Sequence, residues 1–413
     1  MRANLTNNDR LARICAPGVA MFQRDLEKTL LRFAKFPVVA LLGPRQSGKT
    51  TLAKATFNNH HFVSLENPQQ RSFALEDPQG FLKKIENPVG IIIDEFQYAP
   101  ELLSYIQVEA DEKKRPGYFI ITGSHNFLMN QAITQSLAGR VGILTLLPLS
   151  LHEILNNKLV KNLNEAIFNG GYPRLYSESF SPLELLPSYI HSYIERDVRQ
   201  FANIGDIHTF QKFMQMCAAR VGQQLNITDI ATNCGVDSRT INKWLSVLEA
   251  SYIIFLLKPH FNNFNKRITK TSKLYFYDTG LACSLLEMSS PDNLSLSSFR
   301  GALFECLILS DFYKQYHNSG LRPALYYWRD QNGILEIDGL VDLGVTMVPV
   351  EIKSGETITK DFFKGLKRWC ELASVDPSNG YVIYGGDDEQ KRSMGHVLSW
   401  QQTGTLISHL KKQ

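Results

Sequence analysis

The sequence predicts a multidomain α/β protein, and three observations carry that reading. The chain has 413 residues, more than one hydrophobic core ordinarily serves at about 150 residues per domain. Its first third holds short apolar runs that end in glycine or in acidic and polar residues and alternate with helix-like stretches, the pattern of a buried parallel sheet. Its last third starts a second αβ pattern after a helical middle. The 44% hydrophobic fraction and 11% aromatics supply enough apolar surface to bury, which excludes a disordered or collagen-like chain.

Bulk charge is uninformative: 44 Lys and Arg against 40 Asp and Glu give +4, so any basic surface has to be local. No apolar run reaches the roughly 18 residues that span a bilayer, and the N-terminus has no apolar signal core. The six cysteines contain no C-x-x-C pair. These features predict a cytoplasmic protein with reduced thiols and no membrane anchor.

The first element is the run FPVVALLGPRQSGKTTLAKA, in which Gly43, Gly48, Lys49 and Thr50 match G-x-x-x-x-G-K-[ST] between a predicted strand and a predicted helix. Glycines let successive backbone N–H groups wrap a phosphate, and the helix turns its positive end toward it. Residues Gly43, Pro44, Arg45, Gln46, Ser47, Gly48, Lys49, Thr50 and Thr51 are therefore predicted to bind ATP. Lys49 would reach the terminal phosphates, and the Thr50 hydroxyl would hold Mg²⁺. The second strand of interest, VGIIIDEFQYAP, ends in Asp94 and Glu95. Carboxylates there would lie beside the phosphate loop, Asp94 on Mg²⁺ and Glu95 polarising the attacking water. A third strand, GYFIITGSHNFLM, ends in polar residues, among which Ser124 and Asn126 are candidate γ-phosphate sensors. Arg140, alone in SLAGRVGILTLLPLS, is either an arginine acting on a neighbouring subunit's nucleotide or a salt-bridge partner.

LLGPRQSGKTTL, IIIDEFQYAP, FIITGSHNFLM and LAGRV together resemble a prokaryotic family of AAA-type P-loop ATPases with a C-terminal domain of unknown function, and the likeness extends through GGYPRLY and SYIERDVRQF. The resemblance implies a P-loop ATPase core, a helical lid, a winged helix and a C-terminal restriction-endonuclease-like PD-(D/E)xK α/β domain. The corresponding expected boundaries are 1–148, 149–204, 205–280 and 281–413. In the lid, Arg174 and Arg196 are candidates to reach back to nucleotide.

The middle element, LNITDIATNCGVDSRTINKWLSVLEASYIIFLLKPH, has helix-turn-helix spacing: a short helix, a turn through Gly235, and a longer helix from near Asp237 or Ser238. Ala231, Val236, Ile241, Leu245 and Leu248 would pack the two helices together, leaving Arg239, Asn242 and Lys243 outward. Two strands follow, joined by a loop that carries Lys266, Arg267 and Lys270 with no acid between Lys258 and Lys273. Arg239, Lys243, Lys266, Arg267 and Lys270 are the predicted DNA contacts, with protein or interdomain docking as the alternative.

The last element begins with an expected amphipathic helix, RGALFECLILSDFYKQY, followed by strands through GILEIDGLVDL and TMVPVEIKSG. Alternation puts Glu336 and Asp338 on one strand face and Glu351 and Lys353 on one face of the next, with Ile337, Val350 and Ile352 assigned to the opposite layer. Asp338 followed by Glu351-x-Lys353 has the form of a metal-dependent nuclease motif, with two carboxylates on Mg²⁺ and a lysine activating water. By the resemblance, Glu305 on the preceding helix completes the metal set of Glu305, Asp338 and Glu351. Trp328, Trp369 and Trp400 are expected in the core. The expected activity is an ATP- and Mg²⁺-dependent ATPase controlling a nuclease-like module on DNA. The alternative is a nucleotide-switched DNA- or protein-binding regulator whose C-terminal domain is catalytically silent.

Overall fold

A computed structural model describes residues 22–124, 133, 135–194, 207–260, 271–330 and 333–412. The chain opens with helix α1 (Glu27–Phe33), strand β1 (Val38–Gly43), helix α2 (Lys49–Thr56), β2 (His61–Ser64) and β3 (Ile91–Asp94). Helix α3 (Leu102–Lys113), β4 (Phe119–Ser124) and β5 (Val141–Thr145) complete the first unit. These five strands form one parallel sheet in the order β2-β3-β4-β1-β5. Every residue of β1 is buried because its side chains feed two layers in turn. Val38, Ala40 and Leu42 pack with Ile91, Ile93 and α3, while Val39 and Leu41 pack with Ile92, Ile120, α1 and α2. At about 25 cal/mol per Å² of apolar surface, such two-sided burial stabilises β1 from both layers.

The next segment is helical: α4 (Leu151–Asn156), α5 (Leu163–Asn169), α6 (Pro173–Ser177) and α7 (Pro182–Tyr189). Ser150 and Glu153 close a capping box on α4, and Ser181 with Glu184 closes another on α7, so the sequence starts both helices explicitly. Then come α8 (Ile207–Ala219), α9 (Ile227–Cys234), α10 (Ser238–Ala250) and an antiparallel pair, β6 (Ile254–Leu257) and β7 (Lys273–Phe276). Asn226 and Asp237 cap α9 and α10, and Gly235 turns between them in the left-handed region at φ 70°. Ala231, Ile241, Leu245 and Leu248 are buried as expected, and Val236 is half-buried against them.

The C-terminal unit starts with α11 (Arg300–Asn318) and the strands β8 (Leu325–Arg329), β9 (Glu336–Asp342) and β10 (Met347–Lys353). Helix α12 (Lys364–Ala373), β11 (Tyr381–Tyr384), β12 (Gln390–Arg392) and β13 (Gly395–Ser399) follow. The sheet order is β12-β13-β11-β10-β9-β8, parallel through β10, β11 and β13 and antiparallel elsewhere. Trp328, Trp369 and Trp400 are core residues. The five described cysteines are free and buried, and no described helix is long and apolar enough to cross a membrane.

Two expectations need correction. Helix α11 is not a one-sided amphipathic helix, because its polar residues are buried in contacts with other parts of the chain. Asp311 accepts from the Leu151 N–H at 2.7 Å, Lys314 donates to the Leu149 carbonyl at 3.0 Å, and Gln315 donates to the Thr403 carbonyl at 2.8 Å. Nor do Ile337, Val350 and Ile352 share a layer: Ile337 packs with Trp328 and Leu366, whereas Val350 and Ile352 pack on the α11 side. Glu351 and Lys353 thus leave β10 on the Ile337 face, while Asp338 leaves β9 on the other.

Candidate functional site

The parallel sheet gathers its strand ends around the phosphate-loop sequence. Gly43 closes β1 at φ 148°, and a Cβ there would fall 2.1 Å from the Leu146 carbonyl oxygen, so only glycine fits. Gln46 and Gly48 also have positive φ, 60° and 92°, which curls the loop before α2. The buried Lys49 ammonium donates to the Gly43 and Pro44 carbonyls at 3.1 and 2.7 Å, and the Gln46 side-chain oxygen is buried without a hydrogen-bond partner. Thr51, on the first turn of α2, is exposed. One strand over, Asp94 is buried and accepts from the Thr50 hydroxyl at 2.8 Å and from the Thr122 hydroxyl. Ser124 lies level with Gly43, its partner in the β1–β4 ladder. Glu95 stands at φ 53°, an uncommon conformation for a residue with a side chain, and its carboxylate accepts from the Gln97 amide.

The loop is held from behind by residues that sequence reasoning did not find. Arg24, 7% exposed, donates to the Ser47 carbonyl at 2.6 Å and to the Leu147 carbonyl at 2.6 Å, and pairs with Glu153 at 2.9 Å. Glu153 also accepts from the Asp25 and Ser150 N–H groups. From the lid side, the Tyr189 hydroxyl reaches the Arg45 carbonyl at 3.3 Å. Nothing in the local pattern around Arg24 signals this contact, since its acid partner is 129 residues away.

Arg140 is placed elsewhere. It precedes β5, at the amino edge of the parallel sheet, while the phosphate loop is at the carboxyl edge. There it is exposed and pairs with both oxygens of Asp111, at 2.5 and 2.8 Å. It does not reach the loop of its own chain. Arg174 forms an exposed i,i+4 pair with Glu178 at 2.9 Å. Asn126, Arg196, Lys266, Arg267 and Lys270 lie outside the described residues. Arg239 and Lys243 are exposed on α10.

The second cluster sits where β9 and β10 part. Their ladder ends at the Val350–Gly339 pair, and beyond it the Asp338 carboxylate accepts the Ile352 N–H at 2.8 Å. The irregular stretch of β9 here, where its ladder with β8 shifts register between Tyr326 and Trp328, lets side chains of β9 and β10 meet: Lys353 contacts Asp338 at 3.2 Å and Glu351 at 2.7 Å. On the α11 side, carboxylate oxygens of Glu305, Glu336 and Asp338 all lie within 4.8 Å of one another. Glu336 thus takes the place beside Glu305 and Asp338 that the sequence reading gave to Glu351. Lys273, the first residue of β7 and only 4% exposed, reaches this group, contacting Glu305 at 3.1 Å and also Glu336. The Tyr275 hydroxyl donates to Glu305.

Electrostatics follow from burial. Desolvation, only partly offset by Lys273, pushes the Glu305 carboxyl up to about 7. Glu351 is raised well above the ordinary range, by burial and then by the Asp338 charge. Asp338 is buried too, but Lys353, Lys273 and the Ile352 N–H together hold it below the ordinary value. Both lysines are raised because carboxylates outweigh their desolvation.

Residues 35–155 match the family described as AAA domain. Residues 160–292 match a domain of unknown function (DUF8612), and residues 300–403 match another (DUF4143). The chain is 29% identical over 372 residues to two uncharacterized proteins, Rv2008c of Mycobacterium tuberculosis and Mb2031c of Mycobacterium bovis, covering 88% of this chain and 80% of each relative. Among solved structures, it is similar to the Walker-type ATPase PABY2304 of Pyrococcus abyssi, with a TM-score of 0.44, 15% identity, and coverage of 67% of this chain and 99% of the other. It is also similar to the Holliday junction branch migration motor RuvB of Thermotoga maritima, with a TM-score of 0.29, 18% identity, and coverage of 66% and 96%. Over residues 35–155 the chain is thus similar to the family described as AAA domain, and within that stretch its loop has the glycine-bearing turn that opens a helix after a buried parallel strand.

Proposed function

We propose that this chain is an ATP- and Mg²⁺-dependent ATPase whose nucleotide state controls a winged-helix and nuclease-like module acting on DNA. The observation that carries the proposal is the convergence of the Gly43–Thr50 loop with Asp94, Thr122 and Glu95 at one sheet edge. The residues fit the group they would hold: a glycine-only turn, a buried lysine whose amine rests on loop carbonyls, and a hydroxyl already bonded to a buried carboxylate. Bound ATP supplies the transferable phosphoryl group, with Mg²⁺ to neutralise its charge. Lys49 would leave its carbonyls for the terminal phosphates, and Thr50 and Asp94 would hold the cation. Glu95, oriented by Gln97, would polarise the attacking water, and Ser124 would lie close enough to sense the outcome. Arg140, at the far edge, is either the structural partner of Asp111 or, in a homo-oligomer, an arginine acting on a neighbouring chain's nucleotide.

The proposed division remains core to 148, lid to 204, winged helix to 280 and restriction-endonuclease-like domain to 413. Its support is the run of three helices and an antiparallel pair in α8 to β7, and the helix-led mixed sheet carrying Asp338, Glu351 and Lys353. In the active reading Glu305, Glu336 and Asp338 would hold a divalent cation, with Glu351 and Lys353 at its margin. The second reading, a nucleotide-switched regulator with a silent C-terminal domain, is favoured by Lys273, which already balances these carboxylates with a positive charge. Supercoiled plasmid incubated with the full chain and Mg²⁺ or Mn²⁺, with and without ATP, separates them. Nicking lost on Asp338→Asn supports the nuclease. A salt-sensitive mobility shift with intact plasmid supports the regulator, and absence of any shift at low salt rejects both on DNA.

A further inference from the structure

The hairpin β6–β7 is docked onto the C-terminal sheet. The His260 N–H donates to the Tyr327 carbonyl at 2.7 Å, and the Tyr327 N–H donates to the Lys258 carbonyl at 3.0 Å, so the residues just after β6 bridge in parallel to the edge strand β8. The Tyr327 hydroxyl donates to the Thr271 carbonyl at 2.5 Å, fixing the start of β7 over the same strand. This docking delivers Lys273, which is otherwise an ill-suited residue for a buried strand position. A buried ammonium is strongly disfavoured unless carboxylates surround it, and here Glu305 and Glu336 contact it directly while Asp338 lies within their cluster. The lysine and the three acids come from two different parts of the fold, β7 on one side and α11 and β9 on the other.

We propose that Lys273 is a built-in countercation that occupies the divalent-cation position of the Glu305–Glu336–Asp338 group, so that the hairpin keeps this site closed until the lysine withdraws. The inference rests on reading these carboxylates as a metal site. One ammonium balances one charge among three carboxylates, whereas a divalent cation would balance two and ligate all three, so the two occupants exclude each other by both charge and space. Site opening is therefore coupled to movement of the hairpin relative to β8 and β9. In the docked state shown here, the C-terminal site is inhibited.

The test uses the full chain and Mn²⁺ alone, counted as free ion by electron paramagnetic resonance. Wild type, Lys273→Met, Asp338→Asn and the double variant Lys273→Met with Asp338→Asn are compared. The inference expects Lys273→Met to tighten the Asp338-dependent site at least about 10-fold over wild type. Asp338-dependent Mn²⁺ binding that is equal or weaker in Lys273→Met overturns the inference and leaves the metal site standing. Absence of Asp338-dependent binding in wild type and variant overturns the metal-site reading, and the inference with it. Because Lys273→Met leaves three acids close together and can impair folding, a second measurement uses wild type only. Acetylation of Lys273, read by peptide mass spectrometry, is expected to be slow without metal and to accelerate at saturating Mn²⁺. Unchanged protection of Lys273 while the Asp338-dependent site is filled would contradict the proposal.

Discussion

Replacing Arg24 by methionine tests whether the phosphate loop depends on its buried anchor. The substitution keeps the apolar stem and removes three charge-assisted contacts, to Glu153, the Ser47 carbonyl and the Leu147 carbonyl. Breaking one side of a buried ion pair costs about 3–5 kcal/mol, and each orphaned buried carbonyl adds about 1 kcal/mol. Glu153 keeps the Asp25 and Ser150 N–H groups, so the lower end applies and, with two carbonyls orphaned, the total is about 5 kcal/mol. Hydrogen exchange of peptides spanning residues 38–57 reads that loss as local opening about 4,000-fold more frequent, since 1.4 kcal/mol is about a factor of ten. Glu153→Gln in the Arg24→Met background should recover about 1 kcal/mol or more, because the stranded charge is gone. Exchange accelerated less than about fivefold, or no recovery in the double variant, would refute the anchoring argument.

Other outcomes follow from single contacts. Gly43→Ala drives a methyl into the Leu146 carbonyl at 2.1 Å in a backbone conformation alanine avoids, so the variant should lose about 3 kcal/mol or more in urea denaturation, with β1 and β5 separating first. Mn²⁺ affinity of the C-terminal site should climb from about pH 6 to about pH 8 and then level off. Below its raised pKa of about 7 Glu305 carries a proton that the cation must expel, and above it no proton is released, which calorimetry in buffers of different ionisation enthalpy would detect. Lys243→Ala on exposed α10 should weaken binding to unrelated DNA sequences alike and lower the salt slope by about 1, measured by fluorescence anisotropy.

What was legible in the sequence was local. Strand, loop and helix of the phosphate site follow from contiguous residues 38–56, and the acids of β3 follow from a buried run that ends abruptly. The start of α10 was equally plain, because Asp237 caps within three residues of itself. The resemblance, not the pattern, supplied Glu305. What the sequence could not convey depends on long closures. Arg24 meets Glu153 across 129 residues, Lys273 meets Glu305 across 32, and neither distance leaves a periodic trace. The layer assignment of Ile337 against Val350 and Ile352 failed because β9 does not alternate regularly: its ladder with β8 shifts register between Tyr326 and Trp328 and its ladder with β10 ends at Gly339, so Ile337 and Leu340, three residues apart, face the same layer. Helix α11 was misjudged for a related reason, since Asp311, Lys314 and Gln315 look like a solvent face until their partners at Leu149, Leu151 and Thr403 are in place.

Release of inorganic phosphate from ATP by the full chain in Mg²⁺ tests the central claim most directly, with wild type, Lys49→Ala and Glu95→Gln side by side. Wild type should turn over. Lys49→Ala should lose both nucleotide binding and turnover, and Glu95→Gln should bind ATP within a few-fold of wild type while releasing phosphate about 10²-fold or more slowly. Phosphate release equal in all three proteins would contradict the assignment of this loop and these carboxylates as the catalytic site.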